Sequence, residues 1–192
     1  MSAWQQLVIE GPAHEAHGFV AGVLADAGAA PESAEWAEAL GLEHVSMRER
    51  VAAILGHGHH EVFLPDPLAD AVATALARGG ATAGLSLTRR LLVVRAHFGF
   101  HAETPSREAR QRIRAALVEA LPPGAALEEL HEDEHEDPSA RGVELYAPAH
   151  EYAYRASGRI TGDPGAVFAV WRRARGTDFV HLDALEVDTA PP

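Results

Sequence analysis

The chain has 192 residues, a formal charge of −12, 47% hydrophobic residues and no cysteine. That length makes one large domain or two small ones, with ample apolar material for a core. Without cysteine there can be no disulfide framework, thiolate metal centre, iron–sulfur cluster or cysteine nucleophile. All sixteen basic residues are arginine, which excludes Schiff-base chemistry and a P-loop lysine. An acidic chain does not neutralise phosphates, so nucleic acid is not an expected partner. No apolar run reaches the roughly 18 residues of a membrane helix, so no membrane role is expected. Met1–Gln6 has neither a basic region nor an apolar core, and the expected location is the cytoplasm.

In chain order, a first strand is expected over Trp4–Glu10, then a turn at Gly11-Pro12. Phe19, Val20, Val23 and Leu24 recur at helical spacing, and that helix ends near Gly28. Pro31–Gly41 reads as a short helix carrying Trp36, and Ser46-Met47-Arg48-Glu49 as a capping box opening a helix through Val51, Ile54 and Leu55. Glu61–Leu64 is a short strand. Asp66-Pro67 opens a helix, Asp as N-cap and Pro at its first position, with Leu68, Val72 and Leu76 on one face. Gly79-Gly80 ends it.

Gly84–His101 has the length of two consecutive strands or one bent strand. Thr104-Pro105 begins an amphipathic helix burying Ala109, Ile113, Ala116, Leu117 and Ala120, broken at Pro122-Pro123-Gly124. The acidic stretch that follows reads as a solvated loop or helix. Val143–Ile160 holds a strand or hairpin interrupted by Pro148, and Asp163-Pro164 opens a helix with Val167, Val170, Trp171 and Ala174 inward. A last strand covers Phe179–Val187, and the Pro-rich end frays.

Asp66-Pro67 and Asp163-Pro164 lie 97 residues apart, and Arg78-Gly79 with Arg175-Gly176 keep that offset. A fixed offset near half the chain is the trace of internal duplication. The expected fold is therefore α+β, with tandem ferredoxin-like βαββαβ halves packed as one globule. Residues 1–96 form the first half, with an insertion at about 29–58, and residues 97–192 form the second.

Twelve histidines are the chain's main chemical resource. His131-Glu132-Asp133-Glu134-His135 matches H-E-x-x-H, in which a helix would bring His131 and His135 to one zinc ion. The acidic flanks and the short Pro123–Pro138 span argue for a solvated segment instead. His57-Gly58-His59-His60-Glu61 makes His57, His59 and His60 candidate ligands for Zn or Ni. His97 and His101 share a strand face but stand roughly 13 Å apart, too far to hold one ion. His14 and His17 suit one helical face.

The preferred ligand-binding candidate is Glu144, Tyr146, His150, Glu151, Tyr152 and Tyr154, which gathers all three tyrosines of the chain. Strand alternation puts Glu144 with Tyr146 and Tyr152 with Tyr154, giving hydroxyls and carboxylates that could fix a ligand. The alternative is an amphipathic strand whose tyrosines pack on the sheet. The functional expectation is a protein binding a small molecule or divalent metal ion at a His/Glu/Tyr-lined site. Two other readings compete. One is a hydrolase-like enzyme using His150 with Glu144 or Glu151, with or without a metal on His59 or His60. The other is a regulatory or structural module, with a homodimer as a candidate assembly.

Overall fold

A computed structural model describes residues 3–36, 57–104, 107–134 and 154–190. Among the described residues the chain is mixed α+β, with antiparallel strand pairing and four α-helices. It divides into two compact units, residues 1–94 with 187–192 and residues 95–186.

The first unit begins with β1 (Trp4–Pro12), which runs without an intervening turn into α1 (Ala13–Asp26). After a 3-10 turn at Pro31–Ser33 come β2 (Glu35–Trp36), β3 (His57–Pro65) and α2 (Asp66–Gly79). The nineteen-residue β4 (Ser86–Thr104) follows, its first nine residues belonging to this unit. Strand order is β2-β3-β1-β4, each neighbour antiparallel. Alternation on β1 and β3 sends Leu7, Ile9, Val62 and Leu64 into a core with Ala16, Val20 and Leu24 of α1 and Val72 and Leu76 of α2. The opposite residues are also apolar and buried: Trp4, Val8, Phe63, Leu91 and Val93. Two buried faces explain why β1 lacks the apolar–polar alternation of a one-sided strand.

The second unit takes the rest of β4 (Arg95–Thr104), then α3 (Arg107–Arg114), which relaxes into a π turn over Ala115–Glu119. β5 (Ala125–Glu134), β6 (Tyr154–Gly162), α4 (Pro164–Arg175) and β7 (Val180–Leu182) complete it. The strand order is β5-β6-β4-β7, again antiparallel throughout. A final strand, β8 (Glu186–Thr189), pairs with β4. β6 begins and ends 97 residues after β3, and each strand leads directly to a helix. Among the described residues, one face alone carries the core here. Phe98, Phe100 and Ala102 of β4 and Ile160 of β6 are buried together with Ile113 of α3, Leu117 of the π turn and Val167, Phe168 and Trp171 of α4. Trp171 meets Phe98 edge-on, with ring centroids 5.0 Å apart.

Several expectations change. Trp36 lies on β2, not a helix, because its neighbour Glu35 pairs with Phe63 of β3. Asp66 does not cap α2; Pro65 holds the N-cap position, and the Asp66 carboxylate accepts a hydrogen bond from Gln5 Nε2. Of the two alternatives for Gly84–His101, the structure has the single strand, Ser86–Thr104. The acidic segment is β5, not a loop or helix, since pairing with β6 outweighs the weak strand propensity of Glu and Asp. Ala116 is half-buried and Ala120 exposed, because the π turn rotates the helical stripe. The last strand divides into β7 and β8. The capping box at Ser46 and its helix lie outside the described residues, as does most of the expected insertion.

Candidate functional site

Of the preferred constellation, Glu144, Tyr146, His150, Glu151 and Tyr152 lie outside the described residues, as does His135. Tyr154 is described, and it is 4% exposed. Its hydroxyl donates to Glu132 Oε1 at 2.6 Å, and Arg114 Nη1 donates to both oxygens of the same carboxylate at 2.7 Å. The Arg110 guanidinium lies over the Tyr154 ring, 5.7 Å from its centroid. This cluster ties β5 and β6 to α3. The hydrogen bond from Tyr154, with those from Arg114, holds the Glu132 carboxyl below the usual carboxylate range. Burial, then the bond to Glu132, pushes the Tyr154 phenol up to about 12.

These shifts fix a pH dependence. A lowered carboxyl contributes stability above its unfolded value, near 4.3, and loses it as pH falls through the folded value. A raised phenol contributes stability below about 10 and loses it as pH rises toward 12. Tyr154→Phe is expected to cost about 1–2 kcal/mol at pH 7, shrink the acid-side loss and abolish this contribution to the alkaline loss. Urea unfolding across pH 3–11 measures all three.

The histidine clusters separate. Along β3, His59 is exposed, whereas His60 is buried with its Nε2 2.8 Å from the Gly11 carbonyl oxygen. Adjacent strand residues point to opposite faces, so these two cannot share an ion. His131 is on β5, so the helical spacing that H-E-x-x-H requires is absent. His14 contacts Glu15 at 3.3 Å, and the His17 ring stacks on Trp36 at 3.8 Å. Among the described residues, no group of three or more His, Asp or Glu side chains is arranged to enclose a metal ion.

What the fold does assemble is a polar face on the second unit. The residues of β4 opposite Phe98 and Phe100 are His97, Gly99, His101 and Glu103. Registry aligns His101 with Ser157 of β6 and with His181 of β7, and aligns Ser157 with His131 of β5. One row across four strands therefore reads His131, Ser157, His101, His181. The flanking rows bring Arg155 to Glu103 and Arg159 to Gly99. A concavity of about 530 Å³ lies on this face, lined in part by His97, His101, His131, Glu129, Arg159 and Asp183. That volume falls within the range of small-ligand sites. The absent side chain of Gly99 matters, for its place is taken by the Asp183 carboxylate. Polar contacts frame the site: His97 Nε2 lies 2.7 Å from Glu186 and His101 Nε2 3.1 Å from Glu103, and Arg155 Nε pairs with Glu103 at 3.3 Å.

Backbone conformation marks the same region. Among the described residues, only Glu129 (φ 56°) and Phe179 (φ 66°) are non-glycine residues at positive φ. Glu129 sits where β5 bulges, two residues lying between the partners of Arg159 and Ser157, and its side chain lines the concavity. Phe179 precedes β7; its carbonyl accepts from the Glu103 amide at 3.3 Å, and its ring is 46% exposed. Left-handed geometry in such residues costs about 1–3 kcal/mol each. Glu129→Gly is expected to raise stability by about 1 kcal/mol in denaturant unfolding while altering the bulge-side wall of the concavity.

Sequence reasoning noticed His97, His101 and His131 but separated them, weighed Arg159 only within the turn before α4, and passed over Ser157, Phe179, His181 and Asp183. The available signal was parity: the alternation His97-Phe98-Gly99-Phe100-His101 already assigns a wet face and a core face. Which strands neighbour β4, and in what register, is not written in any local pattern.

No protein-family model matches the chain, and no curated protein matches it. Among solved structures, the chain is similar to an unknown protein from Galdieria sulphuraria, at 14% identity and a TM-score of 0.31, over 97% of this chain and 98% of that one. Among the described residues, no helix is long and apolar enough to cross a membrane.

Proposed function

We propose that the chain is a binding protein of tandem ferredoxin-like organisation whose ligand is a small polar molecule held on the open sheet face of the second unit. The fold part of this reading is supported by two strand orders, β2-β3-β1-β4 and β5-β6-β4-β7, each the antiparallel order of a βαββαβ unit. The binding part rests on one observation: both non-glycine residues at positive φ among the described residues belong to segments flanking this face. Backbone strain persists where function holds it, and ligand clamps are a recurrent place for it. The face offers imidazoles, a hydroxyl, a guanidinium and carboxylates within one concavity, so the matching ligand carries both hydrogen-bonding and charged groups.

The test is a thermal-shift panel of amino acids, dicarboxylates, nucleosides and sugar phosphates. At least one class should raise the melting temperature with dose, since ligand at about 100 Kd adds roughly 2.7 kcal/mol. Ser157→Trp, which fills the middle of the histidine row, and Arg159→Ala should each abolish the shift. A panel without a shift, or a shift that both variants keep, refutes the assignment.

A further inference from the structure

The twelve histidines include, among the described residues, one pair that faces directly across a strand ladder: His101 of β4 and His181 of β7. Directly opposed residues in an antiparallel pair have Cβ atoms about 4.5–5.5 Å apart on the same face. Two imidazoles bound to one ion at roughly 2.0–2.1 Å place their ligating nitrogens about 3 Å from each other, within reach of that spacing. The other arrangements fail this measure. His131 is on the same row but beyond β6, two strand spacings or about 9.6 Å from His101. His97 is four residues along the strand, roughly 13 Å away.

The surroundings suit a cation. His101 Nε2 is 3.1 Å from Glu103 Oε1, so the carboxylate orients the ring and leaves Nδ1 as the ligating nitrogen. A carboxylate behind a ligating histidine fixes its tautomer and raises its basicity. Asp183, two residues beyond His181, adds negative charge to the same face. Both histidines are exposed, so an ion reaches them without opening the core.

We propose that His101 and His181 form a two-imidazole site for a divalent transition-metal ion of the Zn, Ni or Cu type, with water completing its coordination and Glu103 as the positioning residue. Nitrogen ligands of this kind select such ions over Mg or Ca. The site shares His101 and Asp183 with the concavity but needs neither Ser157 nor Arg159, so it can fail or stand separately from the small-molecule reading.

The experiment is calorimetric titration of the tag-free full chain with Ni(II), compared with His101→Ala, His181→Ala, the double variant and His131→Ala. In a chelate the second imidazole binds intramolecularly, so loss of either partner forfeits the advantage of both. Each single variant should weaken binding by about tenfold or more, the double variant should fall little further, and His131→Ala should match the parent chain. Singles within twofold of the parent, or weakening by His131→Ala equal to theirs, overturn the proposal. Should a variant fail to fold, Cu(II)-induced broadening of imidazole proton resonances in the parent chain decides instead. Broadening centred on His101 and His181 supports the site; broadening centred elsewhere ends it.

Discussion

Replacing Trp171 by alanine should lower the unfolding free energy by about 3–5 kcal/mol, the largest loss expected from any single side chain of the second unit. The indole is 1% exposed and lies edge-on to Phe98, with Val167, Phe168 and Ala174 of α4 buried along the same helix. Truncation removes both the transfer free energy of a large ring and the contacts of the atoms left facing the void. Against a typical total of about 5–15 kcal/mol, such a loss leaves the chain marginal at 37 °C. Trp171→Phe separates packing from hydrogen bonding. The indole Nε1 is buried and makes no hydrogen bond among the described residues. Losing that N–H therefore sacrifices no partner, and the phenylalanine variant should cost well under half as much as alanine. A phenylalanine variant as unstable as alanine would show that the indole nitrogen, not the ring, secures α4.

The second large effect is expected at Gly162, the last residue of β6. Its φ is 147°, and a Cβ built there collides with the Gly124 carbonyl oxygen. That oxygen is not free to retreat, because it accepts the Asp163 amide at 2.8 Å where the chain enters α4. Gly162→Ala should therefore cost about 2–4 kcal/mol, combining a strained dihedral with a backbone clash. Gly22 gives the opposite sign. It lies within α1 with open space around its missing side chain, and Gly22→Ala should add about 0.5–1 kcal/mol. Chemical denaturation of the two variants beside the parent chain measures both. Equal effects would mean that the Gly124 contact does not set the outcome at Gly162.

The sequence exposed those elements whose signals are local. Val167, Val170, Trp171 and Ala174 marked the buried stripe of α4, and all four are buried. The 97-residue offset, read first from Asp-Pro pairs, recurs in the bounds of β3 and β6. What stayed hidden depended on partners. Glu128–Glu134 has the composition of a solvated segment, yet pairing with Arg155, Ser157 and Arg159 of β6 supplies backbone hydrogen bonds and opposite charge. Trp36 shows the same effect in miniature, since a two-residue strand is decided by what lies beside it.

The site was legible one residue at a time and illegible as a whole. Tyr154 drew attention as a pocket residue because it clusters with other tyrosines in sequence; in space its hydroxyl is committed to Glu132 and its ring is under Arg110. His101 and His181 are eighty positions apart, and nothing short of the β4–β7 register brings them together. Long-range pairing of this kind is a product of the whole fold.

Among the described residues, the second unit's sheet keeps its core on one side only. Variation on the other side is therefore cheap: exchanging His101, His131 or Arg159 removes no buried surface and should change stability by no more than about 0.5 kcal/mol. Chemistry and folding are thus written on alternate residues of the same strands. In a set of diverging relatives, the core-facing positions of β4 in the second unit, such as Phe98 and Phe100, would stay apolar while His97, His101 and Glu103 drift together with whatever the face recognises.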